Sequence, residues 1–534
     1  MKFRYVMKFR LALVAAAIVL CSSVTWADEH HEHFNPNEKL GTVSFPTSCD
    51  AAVQKPFERG VALLHSFWYD EAQRQFKEVV DKDPYCAIGY WGESMSLWHQ
   101  LWGRPNATDL TQGWEWLQKT QSLQGKTERE RDYIDALAAF YRDGNKIDHE
   151  KRADSYSAAM EKVYERYPKD HEAAAFYALS LLASGPDEDL TLTNEKKAIA
   201  VLNKLFDEEP DHPGVTHYLI HACDNPHLAD QGLAAARRYA SIAPSSGHAV
   251  HMPSHIFARL GLWQEDIKSN LAAVALTDGG ADALHPMDFL EYAYLQIGEN
   301  GKAKAIVDKM ETMHGMNDDS PMGREMNFYL NYAHGHFPVL YALETRQWKD
   351  AEALQPMPDA SPDFRAITYW AQAVGAGHLR DATAARKAVE QHDAMVKAEE
   401  KNAYIANGMK TSDDEAHAWL AFAEGKNEDA LKVIRQVAEK QDQLGKGEVA
   451  IPAREMLADM LLEMNRPEEA LAEYETALKT DPNRFNGLYG AARAAEMAKQ
   501  TDKARTYYAQ LLQNCGSSTE RPELSHARTE VAEK

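Results

Sequence analysis

Two histidine pairs carry the clearest chemistry in this 534-residue chain: His217 with His221 in HPGVTHYLIH, and His251 with His255 in HAVHMPSHIF. Within each pair the spacing is four, and one constant interval carries His217 to His251 and His221 to His255. On a helix, side chains four apart share a face with Cβ atoms roughly 5–6 Å apart, so each pair can present two ring nitrogens to one ion. Zinc accepts such nitrogens in a tetrahedron, and copper accepts histidine-rich sites of several geometries. His285, the same interval beyond His251, and Asp224, one turn beyond His221, are candidate further ligands or supports. Asp288 and Glu291 follow in HPMDFLEYAYLQ as a candidate ligand, base or support. His65 and His99, separated by that interval too, sit among aromatic residues, a setting that favours packing.

Competing readings attach to the same residues. The rings can pack against Tyr218, Phe257 or Trp263, can be an echo of duplication, or can hydrogen-bond an organic ligand. No HExxH motif supports a zincin-type protease, and no CxxC, CxxCH, nucleotide or flavin motif occurs.

Those pairs need elements that recur at the same interval, about 34 residues, which is the tetratricopeptide-repeat (TPR) period. Gly60, Ala72, Phe76, Val79 and Pro84 fall at repeat positions 8, 20, 24, 27 and 32. Leu457, Ala458, Ala470, Tyr474, Ala477 and Pro482 restate that register near the C-terminus. These are TPR spacings. Small residues at 8 and 20 let two antiparallel helices approach, larger apolar residues fill between them, and the proline stops the second helix. The expected fold is all-α, a right-handed TPR solenoid of roughly nine to eleven helix pairs with a concave groove. With Pro210 and Pro244 as anchors, His217 and His251 fall at position 5, and His221 and His255 at position 9. Those positions, with 2, 12 and 13, face the groove in TPR proteins. An anchor at Ala303 shifts the next register by three and puts Asp288, rather than His285, at position 5. Pro253 raises the question of whether His251 lies inside the helix at all.

The N-terminus has basic Lys2, Arg4, Lys8 and Arg10, then an apolar stretch from Leu11 to Leu20, then Thr25 and Ala27. It reads as a signal peptide over 1–27 and an exported protein, periplasmic or secreted. Cleavage there exposes Asp28-Glu29-His30, whose amine, amides and imidazole form a candidate planar Cu or Ni chelate, within a polar tail over 28–45. The repeats are expected over 46–345 and 346–525, before a polar tail at 526–534. Cys49 and Cys86, flanking the first repeat, are the candidate disulfide in an oxidising compartment. A formal net charge of −23 disfavours nucleic acid as a partner, and no membrane-spanning helix is expected after processing. Trp68, Trp91, Trp98, Trp102, Trp114 and Trp116 either fill repeat interfaces or wall a peptide or sugar groove.

GTVSFPTSCDAAVQKPFERGVALLHSFWYDEA, AIGYWGESMSLWH, KTERERDYIDALAAFYRD, HPGVTHYLIHACD and HAVHMPSHIFARLGLW together resemble a family of exported bacterial TPR proteins. The resemblance spans roughly residues 40 to 345 and implies fold and export, without a mechanism. Three functions follow as expectations. One is a binding or assembly protein for a protein, peptide or small ligand, with a copper or zinc site in its groove. The second is a metal-dependent enzyme, oxidative or hydrolytic, at that site. The third is a purely structural envelope scaffold.

Overall fold

The computed structural model describes residues 38–101, 103–185, 189–277, 279–316, 321–447 and 449–532. The expected signal peptide and the candidate Asp28-Glu29-His30 chelate therefore lie outside the described residues. Helices dominate, and no strand occurs among the described residues. They pair in sequence, from Gln54–His65 with Tyr69–Lys82 to Phe485–Met497 with Thr501–Cys515, before a last helix, Pro522–Ala532. That makes twelve pairs among the described residues, one more than the spacing indicates.

The repeat signature acts through contact. A Cβ on Gly60 would stand 2.7 Å from the Phe76 ring, so position 8 must be small for the first two helices to close. Most turns inside the pairs run through left-handed backbone, occupied by Gly261, Gly298 and Gly425 in three of them. Phe67 takes the same conformation in the first turn, φ +53°, where a residue with a Cβ loses roughly 1–2 kcal/mol.

The described residues from 39 onward form one compact unit. C-terminal repeats pack back on middle ones. Trp263 Nε1 donates to the Asn483 carbonyl at 2.8 Å, and Ser518 Oγ to the Gly298 carbonyl at 2.7 Å. Arg484, buried, holds Glu344 at 2.7 Å and Glu455 at 3.0 Å and reaches the Tyr292 hydroxyl.

Both ends of the described chain carry side chains docked on the repeats. Leu40, Val43 and Phe45 are buried, with the Phe45 ring 5.1 Å from those of Phe57 and Tyr133. At the other end Leu524 and Ala527 bury one face of Pro522–Ala532. Three apolar side chains in the first case, and one helical stripe in the second, suffice to dock the segment. Cys49 and Cys86 are joined by a disulfide with Cα atoms 4.8 Å apart. No helix among the described residues is long and apolar enough to cross a membrane.

Candidate metal centre

Four helices bring the site together. Pro213–Cys223 carries His217 and His221, Gly247–His251 carries His248 and His251, Pro253–Arg259 carries His255, and Leu284–Gln296 carries His285. Pro213 opens the first of them at its first turn, where proline loses no hydrogen bond. His212 caps it, its Nδ1 accepting from the Val215 amide at 3.2 Å. Pro253 does not break the second element. Met252 keeps helical angles, φ −50° and ψ −33°, so His251 and His255 stay on one face.

The rings fall into two triads, His217/His221/His248 and His251/His255/His285, each with ligand atoms within 4.8 Å of one another. In the first, His217 Nε2 lies 3.1 Å from both His221 Nε2 and His248 Nε2. In the second, His251 Nε2 lies 3.1 Å from His255 Nε2. Phe67 sits over the first triad, 4.3 Å from His217, 5.4 Å from His221 and 5.6 Å from His248 between ring centroids. Phe289 does the same for the second, at 5.0, 4.7 and 5.2 Å from His251, His255 and His285.

Further groups fix the tautomers. His217 donates its Nδ1–H to the His65 carbonyl at 2.6 Å. His251 donates its own to Asn270 Oδ1 at 2.6 Å, and the Asn270 amide is oriented by donating in turn to Asp266. His255 donates to Asp224 Oδ2 at 2.9 Å, while Arg259 takes the other oxygen at 2.8 Å. A carbonyl or carboxylate oxygen only accepts, so in each neutral ring the Nε2 carries the lone pair. Burial, reinforced by neighbouring rings, holds the pKa values of His217, His221, His248 and His251 well below the usual imidazole range. Asp224 is kept ionised, burial being overcome by Arg259 and His255.

Other expected residues take different places. Asp224 orients His255 and is not itself in a triad. Asp288 turns away from the triads, accepting from the Tyr332 hydroxyl at 3.1 Å and from His336 Nδ1 at 3.0 Å. The Ala303 register was thus the misleading one, and His285 holds the place. Glu291 is fully buried with no hydrogen-bond partner on either oxygen, and burial holds its carboxyl well above the usual range. It is a neutral acid with no bond to the histidines. His65 is saturated, with Nε2 2.8 Å from Glu172 and Nδ1 2.8 Å from the Tyr218 hydroxyl. It supports His217 only through its carbonyl. His99 stacks on Tyr69 with centroids 4.1 Å apart, outside both triads. The Cys223 thiol is buried and pushed up to about 12, which suits a packed side chain rather than a ligand. Trp91 and Trp98 are fully buried in the core.

Sequence reading missed His248. Its sequence separation from His217 is 31, short of the repeat interval, yet it stands at position 2 of its repeat, one of the groove-facing positions. Glu172 and Asn270 left no signal in the periodicity.

Residues 455–519 match the family model described as tetratricopeptide repeat, over helix pairs that close as the spacing requires. Those residues are tetratricopeptide repeats, and the other described helices stack in the same paired manner. No curated protein matches its sequence. Among solved structures, it is similar to the APC/C hetero-tetramer Cut9-Hcn1 at 11% identity, over 90% of this chain and 76% of that one, TM-score 0.35. It is also similar to the P58(IPK) TPR domain at 14% identity, over 85% of this chain and 100% of that one, TM-score 0.19. The TPR array is a scaffold of the kind that binds proteins.

Proposed function

We propose that this chain is an exported TPR binding or assembly protein whose repeats also hold a transition metal, copper or zinc, at their histidines. The contact that carries this reading is His251 Nε2 against His255 Nε2 at 3.1 Å. Both rings have given their Nδ1–H away, so two lone pairs face each other and need a cation between them. A proton on His251 is disfavoured there, because burial first, then the neighbouring His285 and His255, hold its pKa well below the usual imidazole range. A metal ion fits: bonds of ~2.0–2.1 Å in a tetrahedron set neighbouring nitrogens about 3.3 Å apart. Hydrogen-bonded outer nitrogens, including a carboxylate–histidine pair, are the usual support of metal-binding imidazoles. Export rests on the basic-then-apolar N-terminus, and the Cys49–Cys86 bond supports it, since disulfides persist in oxidising compartments. The partner of the scaffold is a protein, peptide or small ligand that meets the repeat surface.

Metal analysis of protein purified from the exported fraction tests the reading. Bound copper or zinc is expected, with loss in the His217→Ala/His251→Ala double variant. Protein that takes up no metal under any loading condition overturns it.

A further inference from the structure

The six rings divide through one short helix. His248 of Gly247–His251 joins His217 and His221, whereas His251 of the same short helix joins His255 and His285. Two ligands one turn apart, each committed to a different triad, force the triads to be neighbours. Ring centroids across the divide are 6.3 Å apart for His221–His255 and 6.4 Å for His248–His251. That equals the 6.4 Å between His221 and His248 inside one triad. Each triad offers three nitrogens, one short of a four-coordinate shell. Each also includes a partly exposed ring, His221 and His248 in the first and His285 in the second, so a small molecule can approach.

Charge selects the metal. Imidazole ligates a metal ion as a neutral donor, and Asp224, the carboxylate bonded to His255, already balances Arg259. Two zinc ions bring four positive charges into this buried group, whereas two Cu(I) ions bring two. Burying uncompensated charge is costly, and imidazole suits copper as well as zinc.

We propose that the triads hold two copper ions, one each, that face one another and bind dioxygen between them. The proposal rests on the metal reading above. In the reduced centre both ions are Cu(I). Each gives one electron to dioxygen, whose O–O bond order falls by one as it becomes peroxide, bound between two Cu(II) ions. No proton and no further reductant is consumed. The two positive charges gained by the metals match the two negative charges gained by the ligand, so the buried centre keeps its net charge.

The test uses the mature chain with His30→Ala, which removes the N-terminal chelate, loaded anaerobically with Cu(I) and then exposed to oxygen. Two coppers per chain are expected, with a new charge-transfer absorption on oxygenation and almost no electron paramagnetic resonance signal, because the bridged Cu(II) spins couple. His248→Ala and His285→Ala are each expected to retain one copper and to lose the new absorption. Circular dichroism of the metal-free variants checks that they fold, and the parent stoichiometry and spin signal decide the matter if they do not. One copper per chain in the parent overturns the two-metal centre while leaving the metal reading standing. Two coppers with the full signal of isolated Cu(II), or with no reaction with oxygen, overturn the bridging. No bound metal overturns both readings.

Discussion

His251 Nε2 and His255 Nε2 face each other at 3.1 Å, one helical turn apart, while Asn270 and Asp224 hold the opposite nitrogen of each ring. This arrangement stores an electrostatic conflict that a cation relieves, and the Asp224 carboxylate keeps His255 from escaping it by changing tautomer. Asp224→Ala frees the ring, so metal affinity at the second triad should fall by about 10–100-fold. Asp224→Asn keeps an acceptor without the charge and should fall less. Competition against a chelator of known affinity reads both, and an unchanged affinity in Asp224→Ala removes the orienting role.

Acid should act on the metal-free protein through the same rings. His217, His221, His248 and His251 are held below the ordinary imidazole range by burial first, whereas in the unfolded chain they titrate near about 6.5. Below that pH the unfolded state binds protons that the folded state refuses, so stability is lost as pH falls from about 6.5 towards the folded values. Bound metal blocks those nitrogens and should defer the loss to lower pH. Melting temperatures at neutral and mildly acidic pH, with and without metal, should therefore diverge on the acid side.

Glu415 works in the opposite direction. Burial pushes its carboxyl up to about 8, with Gln441 Nε2 donating to it at 3.3 Å. The folded state keeps a proton that the unfolded chain releases above its own lower pKa, so stability falls as pH rises to about 8. Glu415→Gln should flatten the decline between about pH 6.5 and 8, a window in which the histidines no longer contribute. Identical slopes for parent and variant in a melting series would contradict it.

What the sequence reveals here is whatever depends on period. Position 8 must be small because the Phe76 ring lies against Gly60, and that constraint is written locally. His217, His221, His251 and His255 are legible because helical period and repeat period coincide on them. His248 escapes because its partners belong to the first helix of the preceding repeat, at an interval the repeat does not mark. Glu172 is farther from reach: it joins His65, at sequence separation 107, to His212, at separation 40. Only the stacking of three repeats brings those together. The return of the C-terminal repeats onto Trp263 and Tyr292 is likewise invisible. Periodicity describes neighbours and says nothing of contacts such as Trp263 with Asn483, at sequence separation 220.

The Cys49–Cys86 bond closes a loop of sequence separation 37, which in the chain-entropy account is worth about 4 kcal/mol. It ties the segment before the first helix to the start of Ala87–Met95. Cys49→Ser/Cys86→Ser should lower the denaturation midpoint by a corresponding amount and expose Phe45 and the N-terminal repeat first. Hydrogen exchange concentrated in residues 40–65 checks that order. Equal loosening across the chain would contradict it.

Arg484 offers a test of the packing between distant repeats. Its guanidinium is 1% exposed and bonds Glu344, Glu455 and the Tyr292 hydroxyl. Removing one member of a buried ion group strands the others, at a cost of about 3–5 kcal/mol. Arg484→Met should therefore destabilise strongly, since two carboxylates lose their partner in the interior. Adding Glu344→Gln and Glu455→Gln removes the stranded charges, so the triple variant should recover part of the loss rather than deepen it. Tyr292 lies on Leu284–Gln296, the helix that also carries His285, so the single variant should raise hydrogen exchange along that helix. It should also weaken metal binding at the second triad more than at the first. If the triple variant is less stable than Arg484→Met, the group contributes through favourable pairing at every bond and not chiefly by avoiding unpaired buried charge.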